Sequence, residues 1–93
     1  MNISLQELAN ITAPHIIDIR PPLNYNNGHI PKAINIPYNS LIINPSKYLN
    51  KNENYYIYCK KGITSAGLCK LLSNMGYKTY SISGGYENWV LNQ

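Results

Sequence analysis

Short apolar runs, each followed by turn-forming residues, recur along the chain and predict strands that alternate with helices. Four runs are rich in β-branched or aromatic side chains, which favour strands, and they lie at residues 15–19, 33–36, 55–58 and 78–82. The run at 15–19 is apolar on both faces, which is typical of a central strand in a parallel sheet. Strands alternating with helical segments at this spacing predict an α/β domain with a mostly parallel sheet.

The first half of the chain also holds signals for two short helices. Ser4 and Glu7 have the spacing of a capping box, in which each side chain accepts a hydrogen bond from a backbone amide of the other residue. A helix is therefore expected from Ser4 to about Asn10. One helical turn is expected over residues 23–27, and Gly28 is placed to end it.

The second half holds a longer amphipathic helix. It is predicted to begin at Thr64 and to end at Gly76. Its apolar face is predicted from residues spaced at i, i+3, i+4 and i+7, namely Leu68, Leu71, Leu72 and Met75. A final helix is expected after Gly85 and through Leu91.

The weakest pattern lies in residues 38–54, where only a helical turn at 46–49 is expected. This segment contains the longest aliphatic stretch, residues 41–43, which is far shorter than the roughly 20 residues of a membrane span. The N-terminus lacks a basic start followed by an apolar stretch, so no secretory signal is predicted. We therefore expect a single domain over residues 1–93 that is monomeric, cytoplasmic and without a membrane partner.

The net charge is +4, and the positions of the basic residues indicate which class of partner it favours. The basic residues are scattered except for the adjacent pair Lys60 and Lys61, and Arg20 is the only arginine. A nucleic-acid partner would need a basic stripe and arginines for base readout, so this class of partner is not predicted. The lysine pair instead favours an anionic partner at one point of the surface.

The two cysteines, Cys59 and Cys69, are too few for a disulfide framework, and a reducing cytosol is the natural location for free thiols. Together with His15 and His29, they lack the closely spaced pairs that hold zinc. No metal and no cofactor are therefore expected. Cys69 lies on the predicted amphipathic helix, where packing in the core is the ordinary role of a free cysteine.

Cys59 stands out because it directly follows a predicted strand and precedes the start of a helix. A tight loop at such a place gathers backbone N–H groups next to the positive end of the helix dipole. A thiol held there is stabilised as the thiolate, which is the nucleophilic form. Gly62 gives the loop conformational freedom, and Lys60 and Lys61 add positive charge suited to an anionic substrate. The structural alternative is a cysteine that is simply a buried hydrophobic residue.

Four motifs in a fixed order resemble those of the rhodanese domain family, and together they span residues 18–89. The motifs are Asp18-Ile19-Arg20, the segment 28–37 (GHIPKAINIP), the segment 58–66 (YCKKGITSA), and Gly84-Gly85 with Trp89. The resemblance implies a three-layer sandwich with a central, mostly parallel five-stranded sheet flanked by helices. It also implies a sulfurtransferase in which Cys59 carries a persulfide.

Two basic residues directly after the cysteine resemble the loop of family members that use thiosulfate. The chain is therefore predicted to be a thiosulfate sulfurtransferase with Cys59 as the catalytic nucleophile. Substrate-binding roles are predicted for one arginine and six loop residues, namely Arg20, Lys60, Lys61, Gly62, Ile63, Thr64 and Ser65. The donor would be a small anionic sulfur compound. The acceptor would be a low-molecular-weight thiol or a thioredoxin-like protein, or cyanide in an assay.

Several of these residues also have structural interpretations. Thr64 and Ser65 could bind the sulfur or cap the following helix. Arg20 could bind the substrate anion, or it could pair with Asp18 or with a backbone carbonyl oxygen. His29 is expected to orient a turn through a backbone hydrogen bond rather than to act in catalysis.

Other functions keep a similar loop or the same fold. A non-catalytic binding or regulatory module and a carrier that passes sulfur between proteins are both alternatives to an enzyme. Relatives without activity usually lose the cysteine, so the presence of Cys59 favours the enzyme. A cysteine phosphatase would need an arginine six residues after the cysteine to bind phosphate, and this chain has Ser65 there.

Overall fold

Five strands form the sheet at the centre of the computed structural model, which describes residues 1–93. The strands are β1 (Asn2–Ile3), β2 (His15–Asp18), β3 (Ile34–Asn35), β4 (Asn54–Tyr58) and β5 (Lys78–Ile82). Their order across the sheet is β1-β5-β4-β2-β3, and all neighbouring strands run parallel. The predicted α/β class and the five-stranded parallel sheet are confirmed.

Helices cover both faces of this sheet. They are α1 (Leu5–Ala9), α2 (Pro22–Asn27), α3 (Tyr38–Ile43), α4 (Ile63–Asn74) and α5 (Gly85–Leu91). The predicted capping box begins α1, because the N–H of Glu7 donates to Ser4 Oγ and the N–H of Ser4 donates to a carboxylate oxygen of Glu7, both at 3.0 Å. None of the helices is both long enough and apolar enough to cross a membrane.

The sheet separates two apolar clusters, since successive side chains of a strand point to opposite faces. In β4, Tyr55 and Ile57 pack into a cluster with residues of α3 and α4. Tyr56 and Tyr58 pack into the other cluster, to which Leu8 of α1 belongs and against which aromatic residues of α5 pack. The molecule is therefore a three-layer sandwich with the sheet in the middle.

The differences from the predicted elements are confined to short segments. With two residues each, β1 and β3 are too short for an alternating pattern, so β1 is not predicted and β3 is shorter than the run 33–36. Helix α3 is not predicted either, and the turn expected at 46–49 is a 3₁₀ turn at Pro45–Lys47. The position of α3 is fixed by tertiary contacts, because Leu41 is fully buried against the sheet.

The predicted apolar face of α4 is partly wrong. Leu68 and Leu72 are buried as expected, whereas Leu71 and Met75 are exposed. The buried face instead includes Cys69 and begins at Ser65, so the buried positions are 65, 68, 69 and 72. On this buried face, the side chain of Ser65 forms hydrogen bonds to Ser81 of the sheet and to Gly62 of the preceding loop. Those bonds cannot be read from a hydrophobic repeat.

The carboxyl ends of β2, β4 and β5 lie at the same edge of the sheet. The residues that follow these strands are Ile19, Cys59 and Ser83. Ligand sites of open parallel sheets lie beyond this edge, which places the loop after Cys59 where such a site is expected.

Candidate active site

The loop between β4 and α4 directs backbone amides at the sulfur of Cys59. The N–H of Gly62 donates to Sγ at 3.2 Å, and the N–H of Ser65 donates to it at 3.3 Å. Gly62 has a φ of +93°, a left-handed conformation that glycine adopts at little cost and that turns its N–H inward. The sulfur therefore receives donors from the last residue of the loop and from the first turn of α4.

These donors change the acidity of Cys59. Burial opposes ionisation of the thiol, but hydrogen bonds from the side chain and backbone of Ser65 and from the amides of Gly62 and Lys61 lower its pKa below the ordinary value. The donors prevail over desolvation because they are already in place and cost no reorganisation when the charge forms. Cys59 is thus suited to be a thiolate nucleophile.

Ser65 joins the loop to the core. Its Oγ lies 3.4 Å from Cys59 Sγ, 3.3 Å from the carbonyl oxygen of Gly62 and 2.7 Å from Oγ of Ser81 on β5. The side chains of both serines are completely shielded from solvent, or nearly so. Of the two residues expected to bind sulfur or to cap the helix, Ser65 contacts the sulfur, and Thr64 has no hydrogen bond to it.

The start of α5 holds the other side of the loop. The N–H of Tyr86 donates to the carbonyl oxygen of Cys59 at 2.9 Å, and the N–H of Glu87 donates to that of Lys60 at 3.0 Å. Gly85 lies so close to the loop that a Cβ on it would approach the Cys59 carbonyl oxygen to 2.5 Å. The Gly84-Gly85 pair in the sequence is the signal for this contact, although the pair alone does not say which loop it approaches.

A cavity of about 390 Å³ lies beside Cys59. It is lined by Ile19, Arg20, Pro21, Tyr38, Cys59, Lys60, Lys61 and Thr64. The two lysines are exposed at its mouth, and the Nζ of Lys60 lies 3.9 Å from a carboxylate oxygen of Glu87. Sequence reasoning missed Tyr38 in this lining, because Tyr38 belongs to the helix that was not predicted.

Arg20 lines the cavity but is held by the protein itself. Its side chain binds both carboxylate oxygens of Asp18, with Nη2 at 2.7 Å from Oδ2, and Nη2 also donates to the carbonyl oxygen of Gly28 at 2.6 Å. The guanidinium lies 4.0 Å from the centre of the Tyr86 ring. The structural pairing expected with Asp18 is therefore present, and a role of Arg20 in substrate binding stays a prediction.

The other predicted residues occupy different environments. Ile63 has an exposed side chain at the start of α4. His29 has its Nδ1 at 2.9 Å from the carbonyl oxygen of Tyr25, as expected for a residue that orients a turn. Cys69 is completely buried in the cluster beneath α4, as expected for core packing, and burial raises its pKa to about 11.

Fold and site together define a protein with a cysteine held by backbone amides at the carboxyl edge of a parallel sheet. Residues 3–92 match the rhodanese-like domain family, and the chain belongs to this family. The resemblance noted in the sequence is thereby confirmed.

Named relatives agree with this membership. The chain is 31% identical over 91 residues to the thiosulfate sulfurtransferase GlpE of Tolumonas auensis, a match that covers 94% of this chain and 85% of that protein. It is 31% identical over 88 residues to the adenylyltransferase and sulfurtransferase uba4 of Ogataea parapolymorpha, covering 94% of this chain but 23% of that longer protein. The crystal structure of a rhodanese-related protein from Thermoplasma volcanium superposes with a TM-score of 0.87 at 30% identity, covering 98% of this chain and 91% of the other. These relatives support sulfur transfer as the general class of reaction.

Proposed function

We propose that this protein is a thiosulfate sulfurtransferase that transfers a sulfane sulfur to a thiol or to cyanide through a persulfide on Cys59. The observation that supports the proposal most directly is the pair of N–H groups, from Gly62 and Ser65, that point at Cys59 Sγ from within 3.3 Å. Such preorganised donors stabilise a thiolate before the reaction and the charged persulfide after it.

In the first step, the Cys59 thiolate attacks the sulfane sulfur of thiosulfate. A bond forms between Sγ and that sulfur, the sulfur–sulfur bond of thiosulfate breaks, and its electron pair leaves with sulfite. A thiolate and a dianion become an anionic persulfide and a dianion, so charge is conserved. The lowered pKa of Cys59 increases the fraction of thiolate, which is the nucleophile of this step.

In the second step, an acceptor attacks the outer sulfur of the persulfide. With cyanide, the new bond joins carbon to sulfur, and the electron pair of the sulfur–sulfur bond returns to Cys59 as the thiolate while thiocyanate leaves. A low-molecular-weight thiol or a thioredoxin-like protein would act in the same way in the cell. The cavity beside Cys59 provides the space from which either nucleophile would approach.

The choice of thiosulfate as donor rests on charge. A dianion brought to a thiolate meets repulsion, and Lys60 and Lys61 at the mouth of the cavity offset it. Arg20 also lines the cavity, but its guanidinium is already paired with Asp18, so the exposed lysines are the proposed determinants of donor preference.

The proposal is tested by steady-state kinetics with thiosulfate and cyanide, in which thiocyanate is measured while both concentrations are varied. A covalent intermediate predicts parallel lines in double-reciprocal plots, because sulfite leaves before cyanide reacts. Cys59→Ser is expected to be inactive, and Cys69→Ala, which alters the other thiol, is expected to stay active. Intersecting lines, or activity in Cys59→Ser, would contradict a persulfide on Cys59.

A further inference from the structure

Two buried serines form a short hydrogen bond behind the sulfur of Cys59. The Oγ atoms of Ser65 and Ser81 are 2.7 Å apart, and the exposed fractions of these residues are 0% and 1%. Ser65 is the only hydrogen-bond partner of the Ser81 side chain. Ser81 itself lies in β5, which pairs with β1 and β4 on either side.

Counting protons assigns a direction to this bond. A hydroxyl has one proton to donate and two lone pairs to accept with. Because Ser65 Oγ is the one acceptor within reach of Ser81, the proton of Ser81 is satisfied only when it points at Ser65. The proton of Ser65 then remains for its other two neighbours, the carbonyl oxygen of Gly62 at 3.3 Å and Cys59 Sγ at 3.4 Å.

The protonation state of Cys59 decides whether the proton of Ser65 points at the sulfur or at the carbonyl oxygen of Gly62. A thiolate accepts the Ser65 proton, and Ser65 Oγ in turn accepts the proton of Ser81, so every donor is used. A thiol can instead donate to the second lone pair of Ser65 Oγ, and the proton of Ser65 then points at the carbonyl oxygen of Gly62 rather than at the sulfur. Hydrogen bonds in such a buried chain strengthen one another when they point the same way, and here the shared direction ends on the sulfur.

We propose that Ser81 is a positioning residue whose hydroxyl turns the Ser65 hydroxyl toward the sulfur of Cys59 and so favours the thiolate. Ser81 is 16 residues from Ser65 in sequence and makes no hydrogen bond to Cys59 itself. Its importance for catalysis rests on the proposed function, in which Cys59 is the nucleophile. Its effect on the sulfur does not.

The test measures alkylation of Cys59 by iodoacetamide as a function of pH. All variants carry Cys69→Ala, so that Cys59 is the single thiol of the chain. Ser81→Ala is expected to move the midpoint of the alkylation profile to higher pH and to slow the reaction about fivefold below it, the size expected when one hydrogen bond to a charged sulfur is weakened. Ser81→Thr, which keeps a hydroxyl, is expected to restore the profile.

Thr79→Val is the matched control. Thr79 lies two residues earlier on the same face of β5, is also buried, and donates to the carbonyl oxygen of Cys69 at 3.0 Å rather than to the active-site loop. Losing this hydroxyl is expected to cost comparable stability and to leave the alkylation profile unchanged. Equal shifts of the alkylation midpoint in the Ser81 and Thr79 variants would show that Ser81 has only a structural role.

A double variant tests the route through Ser65. If Ser81 acts by orienting Ser65, adding Ser81→Ala to Ser65→Ala is expected to leave the alkylation profile of Ser65→Ala unchanged. A further shift would overturn the proposed route. Because alkylation needs no sulfur donor, this result is independent of the proposed function: a wild type that forms no persulfide would refute the sulfurtransferase, whereas an unshifted Ser81→Ala profile would refute only the role of Ser81.

Discussion

The two cysteines differ in the properties that govern thiol chemistry. Cys59 lines a cavity and receives hydrogen bonds on its sulfur, and its pKa is lowered. Cys69 is completely buried in the core, and its pKa is raised to about 11. Only the thiolate is a competent nucleophile, so this contrast assigns the proposed chemistry to Cys59 alone.

The two lysines after Cys59 differ in whether a carboxylate lies near them. Lys60 lies 3.9 Å from the carboxylate of Glu87, which offsets part of its positive charge, whereas Lys61 forms no ion pair. Lys61 is therefore expected to contribute more to the attraction of an anionic donor than Lys60.

For this reason, Lys61→Ala is expected to raise the KM for thiosulfate about fivefold, as for the loss of roughly 1 kcal/mol of attraction at an exposed site, and Lys60→Ala to raise it less. Steady-state kinetics at low and high salt measures both effects. High salt is expected to reduce the difference in KM between each variant and the wild type. Lys70→Ala on the exposed surface of α4 is the control, and it should leave the KM for thiosulfate unchanged at both salt concentrations. Equal KM values for wild type and Lys61→Ala would refute the role of charge.

The site could be predicted from the sequence where its residues are contiguous. Cys59, Lys60, Lys61 and Gly62 form one loop, so their shared chemistry can be inferred from the order of residues. Ser81 could not be predicted in this way. Its contact with the loop exists only because β5 lies beside β4, and no local pattern encodes that pairing.

At the scale of elements, the loop after β4 is clamped between the starts of two helices. Helix α4 supplies the Ser65 amide to the sulfur, and α5 supplies two amides to the carbonyl oxygens of Cys59 and Lys60. Gly85 makes this approach possible, with a φ of +60° and no side chain to hold the loop away.

Gly85→Ala is expected to destabilise the protein by at least about 1–2 kcal/mol from its left-handed backbone alone, and to displace the Cys59 loop. Thermal unfolding and the rate of sulfur transfer measure the two effects. Gly67→Ala is the matched control, since a Cβ at this position in α4 meets no atom within 4 Å. That change is expected to stabilise the helix by about 0.5–1 kcal/mol. Wild-type activity in Gly85→Ala would show that the close approach of α5 is dispensable.

The longer elements follow from the sequence pattern, while the shorter ones depend on the fold. Strand β5 has the predicted bounds, and α4 begins within one residue of the predicted start. Helix α3 has six residues and lies in a segment interrupted by asparagine and proline, so its helical state is determined by the burial of Leu41. Leu71 and Met75 are exposed because the buried face of α4 includes Ser65 and Cys69 instead, and the tertiary hydrogen bond of Ser65 to Ser81 is not visible in a hydrophobic repeat.

At the scale of the whole molecule, a buried ion pair joins the end of strand β2 to the segment after it, which lines the cavity. Asp18 at the end of β2 is fully buried, and Arg20 is 8% exposed. The carboxylate of Asp18 accepts hydrogen bonds from the side chain and from the backbone N–H of Arg20. Both charges are thus compensated within the protein, and Arg20 is fixed beside Tyr86 and the cavity.

Asp18→Ala would leave the buried guanidinium of Arg20 without its counter-charge. We expect the free energy of unfolding to fall by about 3–5 kcal/mol, measured by urea denaturation. The exposed pair of His15 and Glu53, 3.5 Å apart, provides the control, and Glu53→Gln should cost less than about 1 kcal/mol. A comparably small loss in Asp18→Ala would mean that this pair does not anchor the edge of the sheet.

The central claim is that Cys59 accepts a sulfur atom from thiosulfate, and intact-protein mass spectrometry tests it most directly. The protein is incubated briefly with thiosulfate and its mass is measured. It is then treated with cyanide and the mass is measured again, with Cys59→Ser and Cys69→Ala in parallel. The account predicts a gain of one sulfur atom on the wild type and on Cys69→Ala, its removal by cyanide with release of thiocyanate, and no gain on Cys59→Ser. A wild type that gains no sulfur from thiosulfate, or a Cys59→Ser variant that does gain it, would contradict the account.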